Sequence, residues 1–207
     1  MAADGGRRQT RIQIEKREAI REAALDVFSA HGFRGATLDQ IAEAAGLSKP
    51  NLLYYYEGKE AIHAELLERL LDTWLDPLRE MDAQGDPLTE LRGYVQRKLE
   101  AARDYPRESR LFANEIIQGA PRLIDELRGP LRELVDEKAA VLRGWMEAGR
   151  IARMDPRHLI FAIWAITQHY ADFDAQVCAV LGSEDEARFH DAAATIEVLL
   201  MRGLAPR

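Results

Sequence analysis

Residues 37–62, TLDQIAEAAGLSKPNLLYYYEGKEAI, leave the chain little choice of local structure. Thr37 followed three positions later by Gln40 is a capping box, in which each side chain satisfies a free amide at a helix start. Leu38, Ile41, Ala42 and Ala45 then fall on one apolar stripe. Gly46 stands where the chain must leave this short helix with a positive φ, Leu47 can fill the angle between two helices, and Ser48 is a second N-cap. The helix it starts carries Lys49, Pro50 and Asn51 in its first turn, where proline is tolerated because its missing amide would have no partner anyway. Two short helices about a tight glycine turn make a helix-turn-helix, the geometry that sets its second helix into the major groove of DNA.

No segment shows sustained two-residue alternation, so the fold class is expected to be all-α. Before the motif, residues 14–30 place Ile20, Ala23, Ala24, Val27 and Phe28 at helical spacing, and His31-Gly32 ends that helix. After it, Gly58 and Lys59 open a helix to about residue 81, with Ile62, Leu66, Leu70, Trp74 and Leu78 in one line. Further helices are expected over 87–105, 107–118, 121–151 with an interruption at Gly129-Pro130, 156–181, and 183–203, the last opened by a Ser183/Glu186 capping box. The chain thus divides into a basic arm at 1–12, disordered without a partner, a DNA-binding domain at 13–60, and a ligand-binding and dimerisation domain at 61–207. Arg7, Arg8 and Arg11 in the arm suit either a minor groove or a solubilising tail.

Charge narrows the function. The first 60 residues hold nine Lys/Arg and nine Asp/Glu, so the net charge of -7 lies wholly beyond the helix-turn-helix. A neutral reader needs a few placed phosphate contacts rather than a broad basic field. The single cysteine, Cys178, excludes an internal disulfide and fits a reducing cytoplasm, and no leader or membrane span is visible. His169 and Asp172 are too few to hold a metal. With no nucleophile-base pair, no glycine-rich phosphate loop and no H-E-x-x-H, the sequence is read as neither an enzyme nor a cofactor binder.

The ordered set Thr37, Ile41-Ala42, Ala45-Gly46-Leu47-Ser48, Tyr54 to Tyr56 and Lys59-Glu60 resembles the DNA-binding domain of the TetR family of repressors. The resemblance implies that Thr37, Ser48, Lys49, Pro50, Asn51, Tyr54, Tyr55 and Lys59 meet operator double-stranded DNA. Gly58 stands where the family often has Ser or Asn, Leu53 and Tyr56 where it commonly has Tyr and Phe, and Glu57 adds an anion close by. A helix-turn-helix reads two half-sites about 34 Å apart, so a homodimer is expected. Its interface is expected on 156–181, apolar on more than one face, and on 183–203, which offers Phe189, Ala193, Ile196, Leu199 and Leu200.

Within 156–181, Gln168 sits one turn after Trp164, and a buried carboxamide must find a partner. A structural hydrogen bond to backbone satisfies that need as well as a ligand does. The block HLIFAIWAITQHYADFDAQVCAV, with ARDYP and NLLYY, further resembles the regulators of pyrimidine utilisation within the family. That likeness implies a repressor, or a dual regulator, released from DNA by uracil or thymine. Gln168 is then the group facing the ring edge, Trp74 the aromatic wall, and Trp164, Phe112, Tyr170 and Phe173 further lining. A TetR-type repressor with a different small-molecule effector and, more remotely, a helical enzyme remain the alternatives at this stage.

Overall fold

The computed structural model describes residues 11–206, and among them every regular element is helical. They form two compact units divided after Glu68, inside a helix, rather than after residue 60. The first unit holds α1 (Arg11–Gly35), α2 (Leu38–Ala44), α3 (Lys49–Tyr55) and the start of α4 (Lys59–Arg79). Ile20, Ala24, Phe28, Ile41, Leu52 and Ile62 are fully or almost fully buried in it. α1 is broken at Gly32, whose φ of 65° and ψ of 171° are helix-incompatible, so the expected stop at His31-Gly32 appears as a kink. Arg11 and Ile12 already belong to α1, which shortens the expected arm, and Arg7 and Arg8 lie outside the described residues.

The second unit continues α4 and adds α5 (Pro87–Asp104), α6 (Pro106–Ile117), α7 (Ile124–Glu126), a π-helical turn (Leu127–Leu131), α8 (Arg132–Glu147), α9 (Pro156–Asp172), α10 (Asp174–Leu181) and α11 (Ala187–Leu204). α9 is its centre, packed against α5, α6 and α8, while α11 lies on α5. Leu78, Leu91, Tyr94, Leu142, Ile160, Ile163 and Ile196 share one core. The Lys138 ammonium donates to the Arg79 and Met81 carbonyls, and the Trp145 indole to the Ala83 carbonyl. These bonds satisfy the orphan acceptors at the end of α4.

Most boundaries fall where caps and prolines put them: Asp86 accepts from the Thr89 amide to start α5, and Asp155 from the Arg157 and His158 amides to start α9. Gly129-Pro130 produces the π turn, since proline supplies no amide to the i→i-4 ladder. Two expectations fail. Residues 156–181 form two helices, not one, because Phe173 leaves helical geometry (φ -116°, ψ 29°) without any Gly or Pro to announce it. The Ser183/Glu186 box does not form; Ser183 Oγ accepts from the Asp185 amide and Asp185 in turn from the Ala187 amide, so the helix starts later. No helix among the described residues is long and apolar enough to cross a membrane.

Candidate nucleic-acid interface and effector cavity

Local capping builds the first site. Thr37 Oγ1 accepts from the Gln40 amide at 3.2 Å while Gln40 Oε1 accepts from the Thr37 amide at 2.9 Å, so the box is reciprocal. At the far end of α2, the Gly46 amide donates to the Glu43 carbonyl and the Leu47 amide to the Ala42 carbonyl, with Gly46 at φ 64°. This is a Schellman closure. It delivers Ser48, whose Oγ accepts from the Asn51 amide and starts α3. Leu52 is the completely buried anchor of α3, and around it Lys49, Pro50, Asn51, Leu53 and Tyr54 face solvent, Tyr54 at 71% exposure. Tyr55 is half-buried, its ring edge-on to Tyr54 at 5.1 Å.

Both lysines among the predicted contact residues have side-chain partners already. Lys49 Nζ pairs with Asp39 on α2 at 2.9 Å, an exposed bridge that costs little to exchange. Lys59 Nζ instead donates to the Phe33 and Ala36 carbonyls at 2.9 and 2.7 Å and lies 4.6 Å from the Phe33 ring centre. Its ammonium therefore caps the kinked end of α1, and the backbone at the start of α4 suits an anion.

A charged latch, absent from the sequence reading, fixes the posture of α3. Glu65 on α4 accepts from Arg17 at 2.9 Å and from Arg21 at 2.7 Å, both on α1. Arg17 also donates to the Tyr55 carbonyl at the end of α3 and stacks 4.4 Å from the Tyr56 ring centre. Partial burial pushes the Glu65 carboxyl up, but the two arginine hydrogen bonds outweigh it and hold the group below the usual carboxylate range.

In the second unit, a cavity of about 530 Å³ lies between α6 and the end of α9, lined by Phe112, Asn114, Ile117, Gln168, Asp172 and Phe173 among others. Gln168, Phe112 and Phe173 thus share one lining. Trp164 does not join them, because its indole donates to the Tyr94 hydroxyl at 2.6 Å inside the core. Tyr170 packs on Phe189, Ala102 and Ala171 instead. Trp74 is outside the lining too; its face is covered by Lys98 Nζ, 4.1 Å from the ring centre.

Between Trp74 and the cavity wall lie three polar groups from three helices that sequence reading did not connect. Lys98 on α5 is 3% exposed, Ser109 on α6 is fully buried, and Asp172 on α9 lines the cavity. Ser109 Oγ hydrogen-bonds Asp172 Oδ1. Burial pulls the Lys98 ammonium down to about 7, against the favourable charge of Asp172. Burial pushes Asp172 up, with the Ser109 hydrogen bond and the Lys98 charge opposing it. His169, once paired with Asp172 as a metal candidate, instead stacks on Phe173 at 5.0 Å, and no group of three or more ligating side chains is present among the described residues.

Comparison with known proteins agrees with this architecture. Residues 20–66 match the family described as bacterial regulatory proteins, tetR family, and residues 67–207 match the C-terminal region of YcdC-like proteins. The chain is 48% identical to the HTH-type transcriptional regulator RutR of Escherichia coli (strain K12) over 202 residues, which is 97% of this chain and 95% of that one. It shows the same identity and coverage to RutR of Shigella flexneri. Among solved structures, the fatty acid degradation regulator FadR from Bacillus halodurans superposes with a TM-score of 0.65 at 22% identity, covering 97% of this chain and 100% of that one. A transcriptional regulator from Rhodococcus sp. Rha1 does so with a TM-score of 0.64 at 23% identity, covering 91% and 97%. The two structural likenesses speak to the fold.

Proposed function

The chain belongs to the TetR family of bacterial transcriptional regulators, and from that premise we propose that it binds operator DNA as a cytoplasmic homodimer and is released by a pyrimidine, uracil or thymine. The observation that carries the effector is Gln168, a carboxamide that lines a cavity together with the aromatic side chains of Phe112 and Phe173. A pyrimidinedione is flat and alternates N-H donors with C=O acceptors around its edge. A site for it needs apolar faces plus a group that presents one donor beside one acceptor, and a carboxamide is such a group. Gln168 has no hydrogen-bond partner among the described residues, which supports a ligand role over the structural bond to backbone.

Release is reasoned from continuity of the backbone. α4 runs unbroken from Lys59, next to the reader, to Trp74 and Arg79. An effector that draws the polar groups around Trp74 into a new arrangement biases the position of α4. A coupling of about 1 to 3 kcal/mol, roughly 5 to 150-fold in operator affinity, is all that such a switch requires.

Titration of uracil, thymine, cytosine and uridine by calorimetry tests this reading. Wild type is expected to bind uracil and thymine and to discriminate against cytosine, whose exocyclic amine reverses one edge position. Gln168→Ala is expected to lose about tenfold or more, since one donor-acceptor pair is worth about 1 to 3 kcal/mol when its buried partner is left unsatisfied. Failure of wild type to bind either pyrimidinedione would overturn the effector assignment, and unaltered binding by Gln168→Ala would overturn the role of that residue.

A further inference from the structure

The carboxamide of Gln168 accounts for one ring N-H of the proposed effector, whereas uracil and thymine carry two. Four positions beyond Gln168, one helical turn along the same face of α9, stands Asp172, which lines the same cavity. Its Oδ1 is held by the Ser109 hydroxyl, and its Oδ2 has no hydrogen-bond partner among the described residues. We propose that Asp172 is a second specificity-determining residue of the effector site, its carboxylate Oδ2 accepting the ring N-H that Gln168 does not, so that the site selects planar rings with two N-H donors. The proposal rests on the pyrimidine reading given above.

Three features of the molecule support it. A carboxylate has only acceptors to offer, so it matches a ring N-H and penalises a nitrogen that bears a methyl group or a lone pair. Ser109, from a different helix, fixes which oxygen is used within the fold and which is left for a ligand. Lys98, buried over Trp74, and Arg110, on the lining of the same cavity, supply positive charge that favours the ionised carboxylate. A buried ammonium and carboxylate add little to stability compared with apolar side chains of the same size, so packing alone gives no reason for the set. A buried ammonium whose proton is held this weakly, beside a carboxylate that lines a cavity, points to a site.

The experiment uses the intact protein with three ligands, uracil, 1-methyluracil and 3-methyluracil, titrated into wild type and Asp172→Asn. Wild type is expected to bind both methylated rings at least about tenfold more weakly than uracil, because Gln168 alone satisfies only one N-H and methylating either nitrogen then removes a contact. In Asp172→Asn the penalty for methylating one of the two nitrogens should shrink to less than about threefold while the other persists, and uracil itself should bind about tenfold more weakly. Equal wild-type affinity for uracil and for either methylated ring overturns the proposal without any mutant. So does an Asp172→Asn protein that keeps both penalties. If wild type fails to bind uracil at all, the pyrimidine reading falls and this inference with it. Binding of uracil with no role for Asp172 leaves that reading standing.

Discussion

Replacing Lys49 and Asn51 together with alanine is expected to weaken operator binding by about a hundredfold or more while leaving the thermal melt within a few degrees of wild type. Both side chains project from the first turn of α3 into solvent, and neither supports the fold. The bond that starts α3 is made by the Asn51 backbone amide to Ser48, which alanine preserves. Among the described residues the side-chain interaction lost is the Lys49–Asp39 bridge, an exposed pair worth about 0 to 1 kcal/mol. On DNA the balance differs, since each base or phosphate contact carries about 1 to 3 kcal/mol and a dimer makes each contact twice. A gel shift with a fragment selected from a random DNA pool measures it. Affinity equal to wild type would remove Lys49 and Asn51 from the reading surface.

The second large effect concerns assembly. Leu199→Asp is expected to convert the protein from a dimer to a monomer in sedimentation velocity, with its helical content retained. Leu199 is 65% exposed on α11, and Val180, Leu181 and Val198 are exposed apolar residues on α10 and α11. A charge there costs the isolated chain little, yet within a desolvated interface an unpaired carboxylate costs several kcal/mol. Ile196 was an equal candidate from sequence, but it is 4% exposed within the chain's own core, so a charge there would unfold the protein rather than separate two copies. A stable dimer of Leu199→Asp would move the interface to another face. If the dimer does part, operator affinity falls with it, because one reader engages only one half-site.

What the sequence reveals follows from the range of the forces involved. The helix-turn-helix is written in contacts three to five residues apart, namely the Thr37–Gln40 box, the Gly46 closure and the Ser48 cap, and each forms as its spacing implies. The line Ile62, Leu66, Leu70, Trp74, Leu78 is buried throughout for the same reason. Long-range polar chemistry was less legible. Lys98 falls on the buried stripe of α5 with Leu91, Tyr94, Val95 and Ala102, a spacing that is visible in the sequence but says nothing of what surrounds the ammonium. Its nearness to Trp74 and Asp172 depends on how three helices pack, which no local pattern encodes. Trp164 precedes Gln168 by one turn, which puts it on the same face in sequence, but packing turns its indole to Tyr94. The break at Phe173 has no proline or glycine behind it, yet it ends α9 next to the cavity and leaves that ring half exposed beside Gln168.

Release of the operator by the effector is the central event. Fluorescence anisotropy of a labelled operator fragment, held in complex with the protein and titrated with uracil, measures this directly. Wild type is expected to release the DNA over the same uracil concentrations at which calorimetry shows the free protein filling, and Gln168→Ala is expected to stay bound until about tenfold more uracil is added. A complex that persists unchanged when the free protein is saturated with uracil would contradict the account.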